Sequence, residues 1–132
     1  MNNKKSIENL SSNFRNEKTY LLNNKINSWE KLSKLTDSEI NSICTKDSLC
    51  TRSRLQKIRA LGILIFKLDI NIYQAQLLLH CGISSIKSLA ILNPYNLEQK
   101  IGRLERSLNV RTQNSIDMNI LKNWIKKAKN CI

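Results

Sequence analysis

Arg52, Arg54, Lys57 and Arg59 follow one another in the stretch TRSRLQKIRA with no acidic residue among them. Guanidinium and ammonium groups in that pattern, set at the start of a helix whose first N–H groups also lack partners, can hold a phosphate by charge and hydrogen bonding together. A second basic set follows near the end of the chain. Arg103, Arg106 and Arg111 precede Lys122, Lys126 and Lys129, and residues 103–132 hold seven bases against two acids. Such contacts fix a protein on a nucleic-acid backbone without reading its sequence. The lysines recur at i, i+4 and i+7, which is also the pattern of a solvated helix face.

Other chemistry finds little support. His80 is the only histidine, and its neighbour Cys81 points about 100° away from it on a helix, so the two do not form a dyad. Cys44 and Cys50, with His80 and Cys81, offer neither a CxxC pair nor two histidines one turn apart, so no metal site is expected. The acids are scattered singly, and three glycines supply no phosphate-binding loop. The residues therefore predict no catalytic group, no metal and no cofactor. His80 reads as a partly buried residue at the end of an apolar helix. Trp29 and Trp124 fall on apolar helix faces and read as core, not as stacking platforms.

The 132 residues carry a net charge of +12, from 22 basic and 10 acidic side chains. One reading is a polyanionic partner. The other is coding bias, since Lys, Asn and Ile number 15, 17 and 17 and Lys outnumbers Arg by 15 to 7. The longest apolar run, Ala60 to Phe66, is far short of the ~18–20 residues that cross a bilayer. The opening MNNKKSIENLSSNFRNEK has no apolar segment behind its lysines, so no secretory signal is expected. The expectation is a cytoplasmic protein with four reduced cysteines acting as small apolar side chains.

Periodicity and caps predict helices over 14–24, 28–35, 37–44, 52–68, 72–81, 85–92, 94–101 and 116–130, with a short turn at 103–108. No segment alternates as a strand does, so the fold is expected to be all-α. Residues 52–68 turn apolar on every side in their second half and read as a central buried strut. Shifted by 57 positions, Tyr20–Ile40 meets Leu77–Leu97 without a gap. Leu21/Leu78, Leu22/Leu79, Ile26/Ile83, Ser28/Ser85, Leu32/Leu89 and Leu35/Leu92 are identical pairs, and the capping box at Thr36–Glu39 coincides with Asn93-Pro94. This predicts an internal duplication: a flexible segment 1–10, a first half 11–68 and a second half 69–132, joined as one compact domain.

The unit Leu78–Leu97, helix, Gly-Ile turn, helix, then a capped helix, resembles tandem helix-hairpin-helix (SAM-like) modules and the C-terminal domain of the bacterial RNA polymerase alpha chain. Over about residues 10–130 the chain resembles a family of small proteins from photosynthetic prokaryotes that carry a helix-hairpin-helix-related domain of unknown function. Ser28-Trp29-Glu30 with Leu32, Arg54-Leu55, Lys57-Ile58-Arg59, AQLLLHCGI at 75–83, GRLER at 102–106 and Trp124-Ile125 carry that likeness. The resemblance implies hairpin turns at Asp69-Ile70-Asn71 and at Gly82, and a link to DNA-binding modules. Where DNA-binding members place Gly-Ile-Gly, this chain has Asp69 and Asn71, and Ser12, Asn13 and Phe14 in the first half. Asn71 can accept the turn's backbone angles and cap the next helix. Asp69 puts a carboxylate where a phosphate would lie. The expected function is a non-enzymatic basic module that binds nucleic acid through its phosphates. The alternative is a protein–protein adaptor on an altered hairpin scaffold.

Overall fold

The computed structural model describes residues 10, 12–108 and 118–131. They are all-helical, with no strand among them. A short 3-10 turn at Ser12–Phe14 leads into α1 (Arg15–Asn23), α2 (Trp29–Ser33), α3 (Asp37–Lys46), α4 (Arg52–Leu68), α5 (Ile72–His80), α6 (Ile86–Ala90), α7 (Pro94–Leu108) and α8 (Met118–Asn130). The expected break near residue 102 is not there. Leu97 and Ile101 are buried and Leu104 half-buried, so the apolar stripe runs past Gly102 and holds one continuous α7 against α8 and α5. Leu10, the last residue of the segment expected to be flexible, is packed into the core; positions 1–9 lie outside the described residues.

Side-chain caps set the helix starts. Ser28, Thr36, Thr51, Asn71 and Ser85 each accept the N–H of the third residue of the helix that follows, which satisfies a donor the helix cannot reach. Glu39 and Gln74 return the bond to complete capping boxes. Two helix ends close in the same way. After α1, Lys25 takes φ 63° and Ile26 N–H donates to Leu21 O at 2.8 Å; after α5, Gly82 takes φ 87° and Ile83 N–H donates to Leu78 O at 3.0 Å. With the bonds Lys25 N–H to Leu22 O and Gly82 N–H to Leu79 O, both are Schellman closures. Each folds an isoleucine back onto the helix it follows.

The core is organised on α4, which packs against α2, α3, α5, α6 and α8. Leu55, Ile58, Leu61, Leu64, Ile65 and Leu68 are all buried, although Phe66 stays exposed, so the strut is not covered on every side. Gly62 brings α4 and α2 together: a Cβ there would lie 3.0 Å from Trp29 O and 3.2 Å from Ser33 N. Both tryptophans are core. The ends of α4 are tied by charge. Glu17, fully buried on α1, accepts the Thr51 N–H through Oε2 at 2.9 Å, and Lys127 on α8 donates from Nζ to Leu68 O at 3.1 Å. Beside Glu17, Cys50 is buried with its Sγ 3.8 Å from Asn16 O. Burial first, then the carboxylates of Asp47 and Glu17, push its thiol up from 9.0 to about 11.

Two glycines on helices should respond oppositely to alanine. Gly62→Ala meets backbone and should destabilise by about 1–3 kcal/mol. Gly102→Ala meets only the Arg106 guanidinium, at 3.5 Å, and should stabilise by up to ~1 kcal/mol through helix propensity. Urea unfolding of both variants reads the signs. The raised Cys50 thiol keeps its proton in the fold, so its contribution to stability is complete below pH 9 and is lost as pH rises towards 11. At pH 8 iodoacetamide should modify exposed Cys131 readily, while Cys50, with a thiolate fraction about a hundredfold below an ordinary thiol, should react only through unfolding. Mass spectrometry of the labelled protein separates the two.

Candidate functional site

The basic start of α4 divides between two tasks. Arg54, Lys57 and Leu61, at i, i+3 and i+7, share one helix face and line a cleft of about 820 Å³. Gln76, Leu79 and His80 of α5 and the segment Ser12–Asn16, with Arg15, complete its lining. Thr51 caps α4 by accepting from Arg54 N–H at 3.4 Å, which fixes the helix start that carries these side chains. Arg52, Arg54 and Lys57 are exposed. Arg59 is committed elsewhere: its Nη1 lies 2.8 Å from Asp37 Oδ1 and donates to Leu35 O at 3.2 Å, joining α4 to the start of α3. A shallower depression of about 430 Å³ adjoins the cleft and shares Lys57 and Leu79 with it; Ser53, Arg59 and Ser84 complete its rim. Neither hollow has an Asp or Glu in its lining. The result is a groove along α4 and α5 with a positive field and nothing on its walls to cancel it.

The remaining basic residues do not join this groove. Arg103 and Arg106 are exposed on α7, and Lys122, Lys126 and Lys129 are exposed on α8. α8 packs on α6, α7 and α4, and its Lys127 reaches the last turn of α4, ~24 Å along the helix from Arg52. Neither the α7 arginines nor the α8 lysines line either hollow. Of the basic residues singled out in the sequence, Arg54, Lys57 and Arg59 line the two hollows, Arg103, Arg106, Lys122, Lys126 and Lys129 lie exposed on α7 and α8, and Arg111 lies outside the described residues.

At the hairpin turns the expected roles are redistributed. Asp69 itself takes the left-handed conformation, φ 53° and ψ 48°, in the place of a glycine, and its side chain is exposed. Asn71 has an ordinary φ of −85° and acts as the cap of α5, through Oδ1 accepting Gln74 N–H at 2.8 Å. Gly82 holds the positive φ. The matching start of α1 has no side-chain cap at Phe14.

Sequence reasoning missed Arg15 and His80. His80 is exposed at the cleft, not partly buried as expected. The i, i+3, i+4 spacing of Gln76, Leu79 and His80 marks one face of α5, but the identity of the helix it meets is a tertiary fact. Burial raises the Cys81 thiol, with Lys100 opposing and Glu105 adding to the shift, so the neighbour of His80 is a poor nucleophile. Among the described residues no three His, Cys, Asp or Glu side chains are grouped to hold a metal, and no helix is long and apolar enough to cross a membrane.

No curated protein and no solved structure matches this chain. A protein-family match covers residues 11–131, nearly all of the helical framework just described, and on that match the chain belongs to the family "Domain of unknown function (DUF4332)".

Proposed function

We propose that this protein is a non-enzymatic module that binds nucleic acid through backbone phosphates, using the groove between α4 and α5. The observation that carries this reading is the lining of the larger cleft: Arg15, Arg54 and Lys57, with His80, and no acid. The first turn of α4 adds Arg52 and Arg54 with no acid of its own, as α5 to α8 also have none there, and the Glu17 carboxylate meets the positive end of the helix at Thr51 N–H.

The scaffold in this reading is a duplicated helix-hairpin-helix-like fold, akin to tandem modules of that kind and to the C-terminal domain of the RNA polymerase alpha chain. It is supported by a common register: α1, α2 and α3 begin at 15, 29 and 37, and α5, α6 and α7 at 72, 86 and 94, 57 positions on. Lys25 and Gly82 occupy equivalent turns at the same spacing. The phosphate grip lies on the basic groove, because Asp69 occupies the glycine position of the second hairpin and the first begins at an uncapped Phe14. The module works in the cytoplasm without metal or cofactor. A protein-adaptor role is the second reading, favoured by Ile91 and Tyr95, which stand 79% and 62% exposed around the α6–α7 turn.

Binding to random duplex should weaken steeply with salt. Arg54→Ala with Lys57→Ala should lower the slope of log K against log salt by about 2, whereas Lys122→Ala with Lys126→Ala should leave it nearly unchanged. Fluorescence anisotropy across a salt series measures both. Affinity that is weak, insensitive to salt and unmoved by the α4 changes would exclude the nucleic-acid reading in favour of the adaptor.

A further inference from the structure

The larger part of the groove, at about 820 Å³, has the capacity of a small-ligand pocket, and three separate elements close on it. Its lining is mixed in a useful way. Arg15, Arg54 and Lys57 provide the cations, while Phe14 and Leu79, both half-buried, provide apolar surface beside them, and Gln76 adds an amide. That is the complement of a single nucleotide: an anionic group for the cations, a flat base for the aromatic ring, and edge groups for an amide.

Charge selects among nucleotides. A phosphodiester inside a strand carries one negative charge, whereas a terminal phosphomonoester carries about −1.5 to −2 near neutral pH. Three cations on one cleft, with no acid in its lining, match the second better than the first. The shallower depression of about 430 Å³, reached across Lys57 and Leu79 and lined by Ser53, Gln56 and Ser84 together with Ala60 and Ile63, gives the next part of a strand a mixed path away from the cleft.

We propose that the cleft between Ser12–Asn16, α4 and α5 binds the phosphorylated terminal nucleotide of a nucleic-acid strand, with the strand leaving along α4 past Lys57. The inference rests on the nucleic-acid reading above and deepens it. The test uses short, internally labelled single-stranded DNA of one sequence in three forms, with a 5′-phosphate, a 3′-phosphate or hydroxyls at both ends, followed by anisotropy on the whole protein. One phosphorylated form should bind about tenfold tighter than the hydroxyl form. Arg54→Ala with Lys57→Ala, at exposed positions, should abolish that advantage, and Lys122→Ala with Lys126→Ala should preserve it. Circular dichroism confirms that each variant is folded.

Equal, salt-sensitive affinity for all three oligonucleotides would overturn the end site and leave the nucleic-acid reading intact. An end preference that survives loss of Arg54 and Lys57 would overturn its location. Adenosine monophosphate binding as tightly as the phosphorylated strand would make this a free-nucleotide site and overturn the strand-end assignment. No binding of any oligonucleotide at low salt would remove both proposals.

Discussion

A helix of 17 residues buried along most of its length must satisfy the backbone groups left over where its hydrogen-bond ladder stops. In α4 much of this is done by two charged side chains from distant parts of the chain. Glu17 accepts the Thr51 N–H across 34 positions, and Lys127 donates to the Leu68 carbonyl across 59. Each has the sign that the helix dipole favours at that end. Because one comes from α1 and the other from α8, the polar needs of the central helix fasten both flanks of the molecule to it. Only Oε2 of Glu17 is hydrogen-bonded, so its burial is costly and depends on the positive end of α4 remaining in place.

Around that helix, backbone geometry does more than side-chain bulk. Gly62 lets the carbonyl of Trp29 approach α4 more closely than a Cβ would permit, and this fixes the depth at which α2 seats. The Schellman closures after α1 and α5 turn the chain within two residues and bring Ile26 and Ile83 back towards the core, Ile83 fully and Ile26 partly buried. Lys25 adopts the left-handed conformation without being glycine, at a local cost of about 1–2 kcal/mol that the two closure bonds offset.

Electrostatically the molecule is uneven in a directed way. Acids gather where they serve structure: Glu30, Asp37 and Glu39 in first turns, and Asp37 again on Arg59. Withdrawing Arg59 into that ion pair while leaving Arg54 and Lys57 exposed sorts four adjacent basic residues by role. The groove that results is positive because its neighbouring acids are occupied elsewhere or absent. The alternation of a cationic rim with Phe14, Leu61 and Leu79 is what separates it from the plain lysine face of α8.

Much of the local structure was legible from residue order. The spans of α3 to α6 and the start of α7, the caps at Thr36 and Asn71, the turn at Gly82 and the core roles of Trp29 and Trp124 depend on interactions within about one helical turn or on a single face's periodicity. What each helix face meets was not legible. That Arg15 and His80 join Arg54 and Lys57, that Arg59 turns to Asp37, that Glu17 is buried and that Lys127 caps the end of α4 are all outcomes of how helices distant in sequence pack. α7 continues through Gly102 for the same reason: its apolar stripe is held by α8 and α5, and packing outweighs one residue's weak propensity. The chain's order determined where helices begin and what they expose; the close approach of α2, α5 and α8 to α4 decided which charges face one another, because a partner is chosen by distance in space.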